Sequence, residues 1–370
     1  MNSRKIIQKI LDSADVKING NRAWDIKVNN ERFYDRVLIK GTLGFGESYL
    51  DGWWDCEEID EMICRILKFS DKDIVYKNLT NFLCFLKSKF FNLQTKIKAK
   101  EVARKHYDLG NDLYLSFLDP YNQYSCGYFK RTDNLNTAQE KKLELICKKL
   151  QLKSTDKVLD IGCGWGGFAK YAAKHYGCQV TGITLSKEQA SYAREFTKGL
   201  PIKIEVMDYR DISEYFDKIV SVGMFEHVGY KNYKRMLEIV KKHLRKDGLF
   251  LLHTIGKNKS DRFREPWMDK YIFPNSMLPA AKQIANAYDG LFVLEDWHNF
   301  GQYYDLTLMA WYKNFDKSWP NLKQKYGERF YRMFRYYLLS CAGAFRARNI
   351  QLWQIVLSPN GAPGGYESIR

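Results

Sequence analysis

The sequence predicts an α/β protein, a Rossmann-like, doubly wound and mostly parallel seven-stranded sheet preceded by a small α+β domain. Three observations carry that expectation. From about residue 106 onward, apolar runs of strand length recur with helical stretches between them. A glycine-rich turn, DIGCGWGG, follows the first of those runs and opens a helical segment. The first 85 residues instead mix short apolar runs with Gly41, Gly44, Gly46 and Gly52, which read as turns.

Taken in order, residues 1–85 form the expected N-terminal domain, with the aromatic segment GFGESYLDGWWD near its centre. Residues 86–105 hold seven Lys/Arg, one acidic residue (Glu101) and the pair Phe90 and Phe91. They read as a basic linker, or equally as a solvated helix whose Phe rings pack on a domain. The α/β part spans residues 106–370. Thr137 and Glu140 have the spacing of a capping box ahead of Leu143, Ile146, Cys147 and Leu150, which predicts an amphipathic helix. Strands are expected at KVLDIG, CQVTGITL, IKIEVMD, DKIVSVG, LFLLHTIG, LFVLEDW and IQLWQIVLS, separated by helices such as 233–244. Two aromatic-rich insertions, EPWMDKYIFPNSMLP and residues 303–348, exceed ordinary connections, and such insertions commonly hold substrate.

A chain of 370 residues suits two domains, and 45% hydrophobic with 28% charged residues is an ordinary globular balance. The 59 Lys+Arg against 43 Asp+Glu give a net charge of +16, which favours a polyanionic partner, either nucleic acid or an anionic bilayer surface. The eight cysteines include no C-x-x-C pair and no zinc-type Cys/His cluster, so they read as reduced thiols of a cytoplasmic protein without a metal. Met1 to Leu11 alternates charge with Ile and lacks an apolar core of signal-peptide type, and no run approaches the roughly 18 apolar residues of a span. Any membrane contact is expected to be peripheral.

Gly162, Gly164, Gly166 and Gly167 lie between a buried strand ending at Asp160 and a helix starting near Phe168. A bare G-x-G turn serves dinucleotides, or only tight packing. Here D-x-G-x-G-x-G follows the first strand of the α/β part and precedes a second strand, the arrangement of a class-I S-adenosylmethionine-dependent methyltransferase. Asp208, after IKIEVM, stands where such folds present a carboxylate to the adenine amino group. Ser186 and Gln189 form a capping box after TGITL. Turn polarity and helix capping are the plain structural roles of these residues. Thr184 occupies the position where many such enzymes place an acidic residue on the ribose hydroxyls.

Eight ordered segments, HYDLGNDLYLSFLDP, YSCGYF, VLDIGCGWGG, GITLSKEQ, MFEHVG, LLHTIG, NFGQYYDLTLMAWY and LSCAGAFRARNIQLWQ, closely resemble bacterial cyclopropane-fatty-acyl-phospholipid synthases and mycolic-acid methyltransferases over about residues 106–358. The N-terminal LGFGESYLDGWW resembles the phospholipid synthases rather than the shorter mycolic enzymes. The resemblance implies transfer of the S-adenosylmethionine methyl to the cis double bond of a phospholipid acyl chain, then ring closure. It implies that Tyr124, Ser125, Asp160 with the Gly162–Gly167 loop, Thr184, Leu185, Ser186, Gln189, Asp208, Tyr209 and Arg210 contact the cofactor. It implies that Cys126, Glu226, His253, Ile255 and Tyr304 hold a bicarbonate ion, and that the enzyme is a homodimer. Cys341 matches a family cysteine proposed as catalytic, and a packed, inert thiol is the other reading.

Singly, Glu226 with His227 reads as a polar pair opening a helix, His253 as a core histidine and Tyr304 as packing. Three rival functions share parts of this pattern. A nucleic-acid methyltransferase fits the charge and the glycine loop, but only a partial D-P-Y (Asp119, Pro120, Tyr121) stands for the exocyclic-amine motif. A fatty-acyl methyltransferase giving a branched chain and a non-catalytic lipid-binding protein are the others.

Overall fold

Alternation of side chains along each strand builds this fold, because successive residues feed two apolar cores on opposite faces of one sheet. The computed structural model describes residues 3–69, 110–261 and 263–370. The basic linker expected at 86–105 lies outside the described residues. The seven strands of the main sheet are β3 (Lys157–Ile161), β4 (Gln179–Thr184), β5 (Ile202–Val206), β6 (Phe216–Val222), β7 (Leu244–Lys257), β8 (Val293–Asn299) and β9 (Ile350–Ser358). All seven apolar runs of the sequence are therefore strands.

Their order across the sheet is β5-β4-β3-β6-β7-β9-β8. The pairs β3–β4, β4–β5, β3–β6 and β6–β7 are parallel, and β8–β9 is antiparallel. This is the mostly parallel class-I methyltransferase sheet. Ile219, Phe250, Leu252 and Leu159 enter one core with Met236 and Leu237, while Val220, Leu249, Leu251 and Val158 enter the other with Ile146 and Phe168. Truncating a fully buried ring such as Phe250 to Ala would cost about 3–5 kcal/mol.

Because strand order reverses between β3 and β6, the crevice beyond their carboxyl ends is the expected ligand position. The register Ile161↔Ile183 and Val222↔His253 brings the ends of β3, β4, β6 and β7 to that edge.

The chain divides into two compact units that are not contiguous in sequence. The sheet unit takes the described residues from 110 to 260, with Asn275–Tyr303 and Gln351–Arg370. The other takes 3–69 with Asp261–Pro274 and Tyr304–Ile350, so two segments of the 106–370 half cluster with the N-terminal one.

In that other unit, helices Ser3–Asp12, Arg32–Leu50 and Ile59–Phe69 surround a ribbon of β1 (Lys27–Val28) and β2 (Trp54–Asp55). The expectation that Gly44 and Gly46 mark turns is corrected, since both lie in the helix Arg32–Leu50, which is non-helical only at Gly41. Gly46 is there for close approach: a Cβ on it would fall 2.4 Å from Trp267 Cδ1. A second correction concerns the helix Leu135–Lys149, which is capped by Asn134, accepting from the Thr137 N–H at 3.1 Å, and not by Thr137 itself.

Candidate active site

The glycine turn is pinned before it is open. Gly162 and Cys163 both donate backbone N–H groups to Ile183 O at the end of β4, at 2.9 and 3.0 Å. Gly164 then takes φ +54, and a Cβ built on it meets nothing within 4 Å, so the turn faces space. Gly166 caps the helix Gly167–Tyr176. At Gly167 the chain must be bare, because a Cβ would lie 1.8 Å from Tyr121 O.

The neighbouring strand ends complete a polar rim. Thr184 donates its hydroxyl to Gln189 Oε1 at 3.0 Å, Ser186 Oγ accepts the Gln189 N–H at 3.2 Å, and half-buried Leu185 sits between them. Ser186 is thus the helix cap expected from the sequence. Asp208 also has its structural role: it accepts from the Arg210 N–H and receives both arms of the Arg210 guanidinium at 2.7 and 2.8 Å. The Arg210 guanidinium carbon stands 5.2 Å from the Tyr209 ring centre.

The segment 121–126 is held from two directions. Tyr124 packs edge-on to Tyr114 at 5.2 Å, and Tyr114 packs on Trp165 of the glycine turn at 5.0 Å. From below, Gln139 donates to Ser125 O at 2.8 Å, and Lys142 donates to Ser125 Oγ at 3.0 Å and to Gln123 Oε1. Lys142 and Gln139 were not singled out from the sequence. Lys142 is fully buried, and burial brings its ammonium down to about 8 against the opposing charges of Asp119 and Asp160. Burial pushes Asp160 up to about 7, with Lys142 pulling the other way. Asp160 Oδ2 and Gln139 Oε1 are buried without hydrogen-bond partners among the described residues.

Beyond β6, a single turn, Phe225–His227, carries Glu226 under the end of β7. Its Oε1 accepts the Ile255 backbone N–H at 2.6 Å, while its Oε2 is buried without a partner among the described residues. Desolvation pushes the Glu226 carboxyl up to about 7. His253, two residues before Ile255 and so on the same face of β7, is buried, and desolvation keeps its imidazole neutral. Gln354 of β9 lies 3.3 Å from His253 Nδ1. With the Gln354 amide donating, the proton sits on Nε2, which has no partner. Cys126 is buried, its thiol donating to Gly127 O at 3.2 Å.

An orphaned carboxylate oxygen and an orphaned imidazole N–H are the two groups a small oxyanion bearing one O–H requires. These residues therefore fit bicarbonate. The Ile255 N–H is already committed to Glu226, so Ile255 acts here by orienting that carboxylate.

Tyr304 and Cys341 belong to the other unit. Tyr304 is buried, stacked on Phe345 at 4.5 Å and edge-on to Trp311 at 6.0 Å. Cys341 is half-buried, and desolvation pushes its thiol up to about 12.

Residues 94–355 match the family described as mycolic acid cyclopropane synthetase. The chain is 51% identical over 366 residues, 99% of its length, to the cyclopropane-fatty-acyl-phospholipid synthase of Escherichia coli, covering 96% of that protein. A probable fatty acid methyltransferase of Pseudomonas putida is 37% identical over 72% of the chain and 71% of that protein. Among solved structures, a cyclopropane synthase from Mycobacterium tuberculosis superposes with a TM-score of 0.67 at 29% identity, covering 72% of this chain and 99% of its own. A mycolic acid cyclopropane synthase solved with S-adenosylhomocysteine and CTAB gives the same score and identity over 70% of this chain and 97% of that one. With this fold, a glycine turn open at Gly164 and a match across most of its length, the chain belongs to the mycolic acid cyclopropane synthetase family of S-adenosylmethionine-dependent methyltransferases.

Proposed function

We propose that the protein is a cyclopropane-fatty-acyl-phospholipid synthase, acting on the cis double bond of an acyl chain in a membrane phospholipid. The observation that carries this reading is the extent of the match to the Escherichia coli enzyme, which takes in 99% of the chain, whereas the mycolic enzyme structures span 72% and 70% of it. The N-terminal part thus belongs to the phospholipid-type arrangement, and residues 1–85 are the lipid- and membrane-associated domain ahead of a catalytic part at 106–370.

An alkene has only its π bond to offer and no acidic proton, so the reaction needs alignment first and a dry base second. S-adenosylmethionine supplies an electrophilic methyl, and bicarbonate supplies the base that removes a proton from that methyl as the ring closes. The chain's own part is to hold these. The open turn at Gly164 and the acceptors Asp160 and Asp208 suit the methyl donor. Glu226 Oε2 accepts the one O–H of bicarbonate, and His253 Nε2–H donates to its charged oxygen, which seats two anions without direct repulsion. Cys126 belongs with this set. Cys341 serves packing.

No helix among the described residues is long and apolar enough to cross a membrane. With a charge of +16, the reading is a cytoplasmic homodimer that meets an anionic bilayer peripherally. Incubation with unsaturated phospholipid vesicles and methyl-labelled S-adenosylmethionine, followed by mass spectrometry of the acyl chains, tests it. Gain of one CH2 with loss of the alkene is expected. A methyl gained with the alkene retained would indicate the branched-chain activity instead.

A further inference from the structure

Lysine is the residue least suited to a dry interior, so a fully buried Lys142 needs a reason. Its helix, Leu135–Lys149, presents Gln139 and Lys142 one turn apart, and both reach the same segment. Gln139 takes Ser125 O, and Lys142 takes Ser125 Oγ and Gln123 Oε1. Gln123 is itself anchored, its backbone N–H donating to Asp119 Oδ1 at 2.8 Å and its amide to Tyr121 O at 3.1 Å. Tyr121 O is the atom against which Gly167 of the glycine turn must pack. One ammonium therefore ties the 121–125 segment to the helix, and through Gly167 to the turn.

The same ammonium has buried charges around it. Asp119 and Asp160 face it electrostatically, and His253 feels its positive charge. Asp160, at the end of β3, has Oδ2 unpartnered, and so does Gln139 at Oε1. Two orphaned buried acceptors beside a clamped segment are what a ligand ammonium group would satisfy.

We propose that Lys142 is a positioning residue for the methyl-donor site, pinning Gln123 and Ser125 with its hydrogen bonds and balancing the buried Asp160 carboxylate with its charge. The proposal rests on the reading of Tyr124, Ser125 and Asp160 as cofactor contacts. Removing the charge has a definite sign. The Asp160 carboxyl, already raised by burial, loses the compensating charge of Lys142 and rises further, so it is protonated over more of the neutral range. Donor-site affinity that depends on ionised Asp160 then fails at a higher pH.

The test is calorimetric binding of S-adenosylhomocysteine to the full chain across pH, with thermal melts, for wild type, Lys142→Met and Gln123→Leu. Gln123→Leu should weaken binding at every pH while leaving the acid limb in place, because the ammonium remains. Lys142→Met should weaken binding by roughly tenfold or more, the scale of a hydrogen bond to a charged group. It should also move the acid limb upward by about one pH unit or more, the scale of a lost opposite charge. A Lys142→Met chain that melts earlier yet keeps wild-type affinity and limb would overturn the proposal, leaving a purely structural lysine. Should that variant not fold, wild-type affinity in Gln123→Leu would overturn the clamp on its own. Wild-type protein that does not bind the probe would instead sink the cofactor reading itself.

Discussion

Glu226 and Ile255 are joined by a 2.6 Å hydrogen bond in which the backbone N–H donates to Oε1, leaving Oε2 buried and unpartnered. The bond fixes the carboxylate against the end of β7, two residues beyond His253, and leaves its other oxygen buried there without a partner among the described residues. A carboxylate kept this dry titrates high, which gives the site its pH dependence.

The Glu226 carboxyl is pushed up to about 7 by burial, and the accepting form is the ionised one. Ring formation should therefore rise with pH through about 7, and fall as acid converts Oε2 from an acceptor into a donor. His253, held neutral, adds no second limb in this range, and saturating S-adenosylmethionine removes the one that Asp160, also raised to about 7, puts on donor binding. A rate for kcat/KM that stays flat from about pH 6 to 8 would contradict this assignment.

Gly164→Val places a β-branched side chain at φ +54, at a strain of about 1–2 kcal/mol, and points it into the open side of the turn. Affinity for S-adenosylhomocysteine should collapse in protein that still melts cooperatively. Unchanged affinity in a folded variant would mean that the turn does not face the donor.

A stability prediction concerns the pair Lys149–Asp296, 2.9 Å apart with side chains 0% and 2% exposed. Asp296→Asn strands the Lys149 ammonium in the interior, and breaking such a pair costs about 3–5 kcal/mol. Arg370, which also bonds Asp296, would lose its partner too. Urea denaturation should show the loss in the midpoint, whereas a shift equivalent to under about 1 kcal/mol would place the pair among the weak surface type.

The proposed peripheral attachment makes a salt prediction. Sedimentation with anionic vesicles should weaken as ionic strength rises and as anionic lipid is diluted. Binding indifferent to both would point to insertion of apolar groups instead.

The sheet was legible because each strand is a short apolar, β-branched run bounded by Gly, Asp or Lys, and nothing in the tertiary structure opposes that preference. Gly44 and Gly46 misled because glycine there answers to tertiary crowding by Arg36 and Trp267, which no local pattern reveals. Thr137 was a plausible cap, but Leu135 is buried and so the helix begins earlier, making Asn134 the residue whose side chain meets the free N–H groups.

Lys142 was not singled out in the sequence, where it stands beside Lys141 and near Lys148 and Lys149. Helical spacing was the available signal: Lys142 is four residues from both Ala138 and Ile146, and Lys149 is three beyond Ile146, all on the buried stripe. Glu226 and His253 were legible through motif resemblance alone. Their orphaned atoms and the Ile255 bond exist only once β6 and β7 pair, since a helix and the first part of β7 lie between them in sequence.

The most direct test of the bicarbonate account is ring formation by wild type and Glu226→Gln in carbonate-depleted buffer, with bicarbonate then added back. Glu226→Gln retains size while replacing the acceptor oxygen with an amide, and loss of a positioned base costs roughly 100-fold to 10,000-fold in rate. Wild-type activity should fall on depletion and recover on addition. The variant should be slow, recover only partly at high bicarbonate by mass action, and bind S-adenosylhomocysteine normally. His253→Ala should share this phenotype without adding to it, because both residues hold one ion. A Glu226→Gln enzyme that closes rings at the wild-type rate in carbonate-depleted buffer would contradict the account.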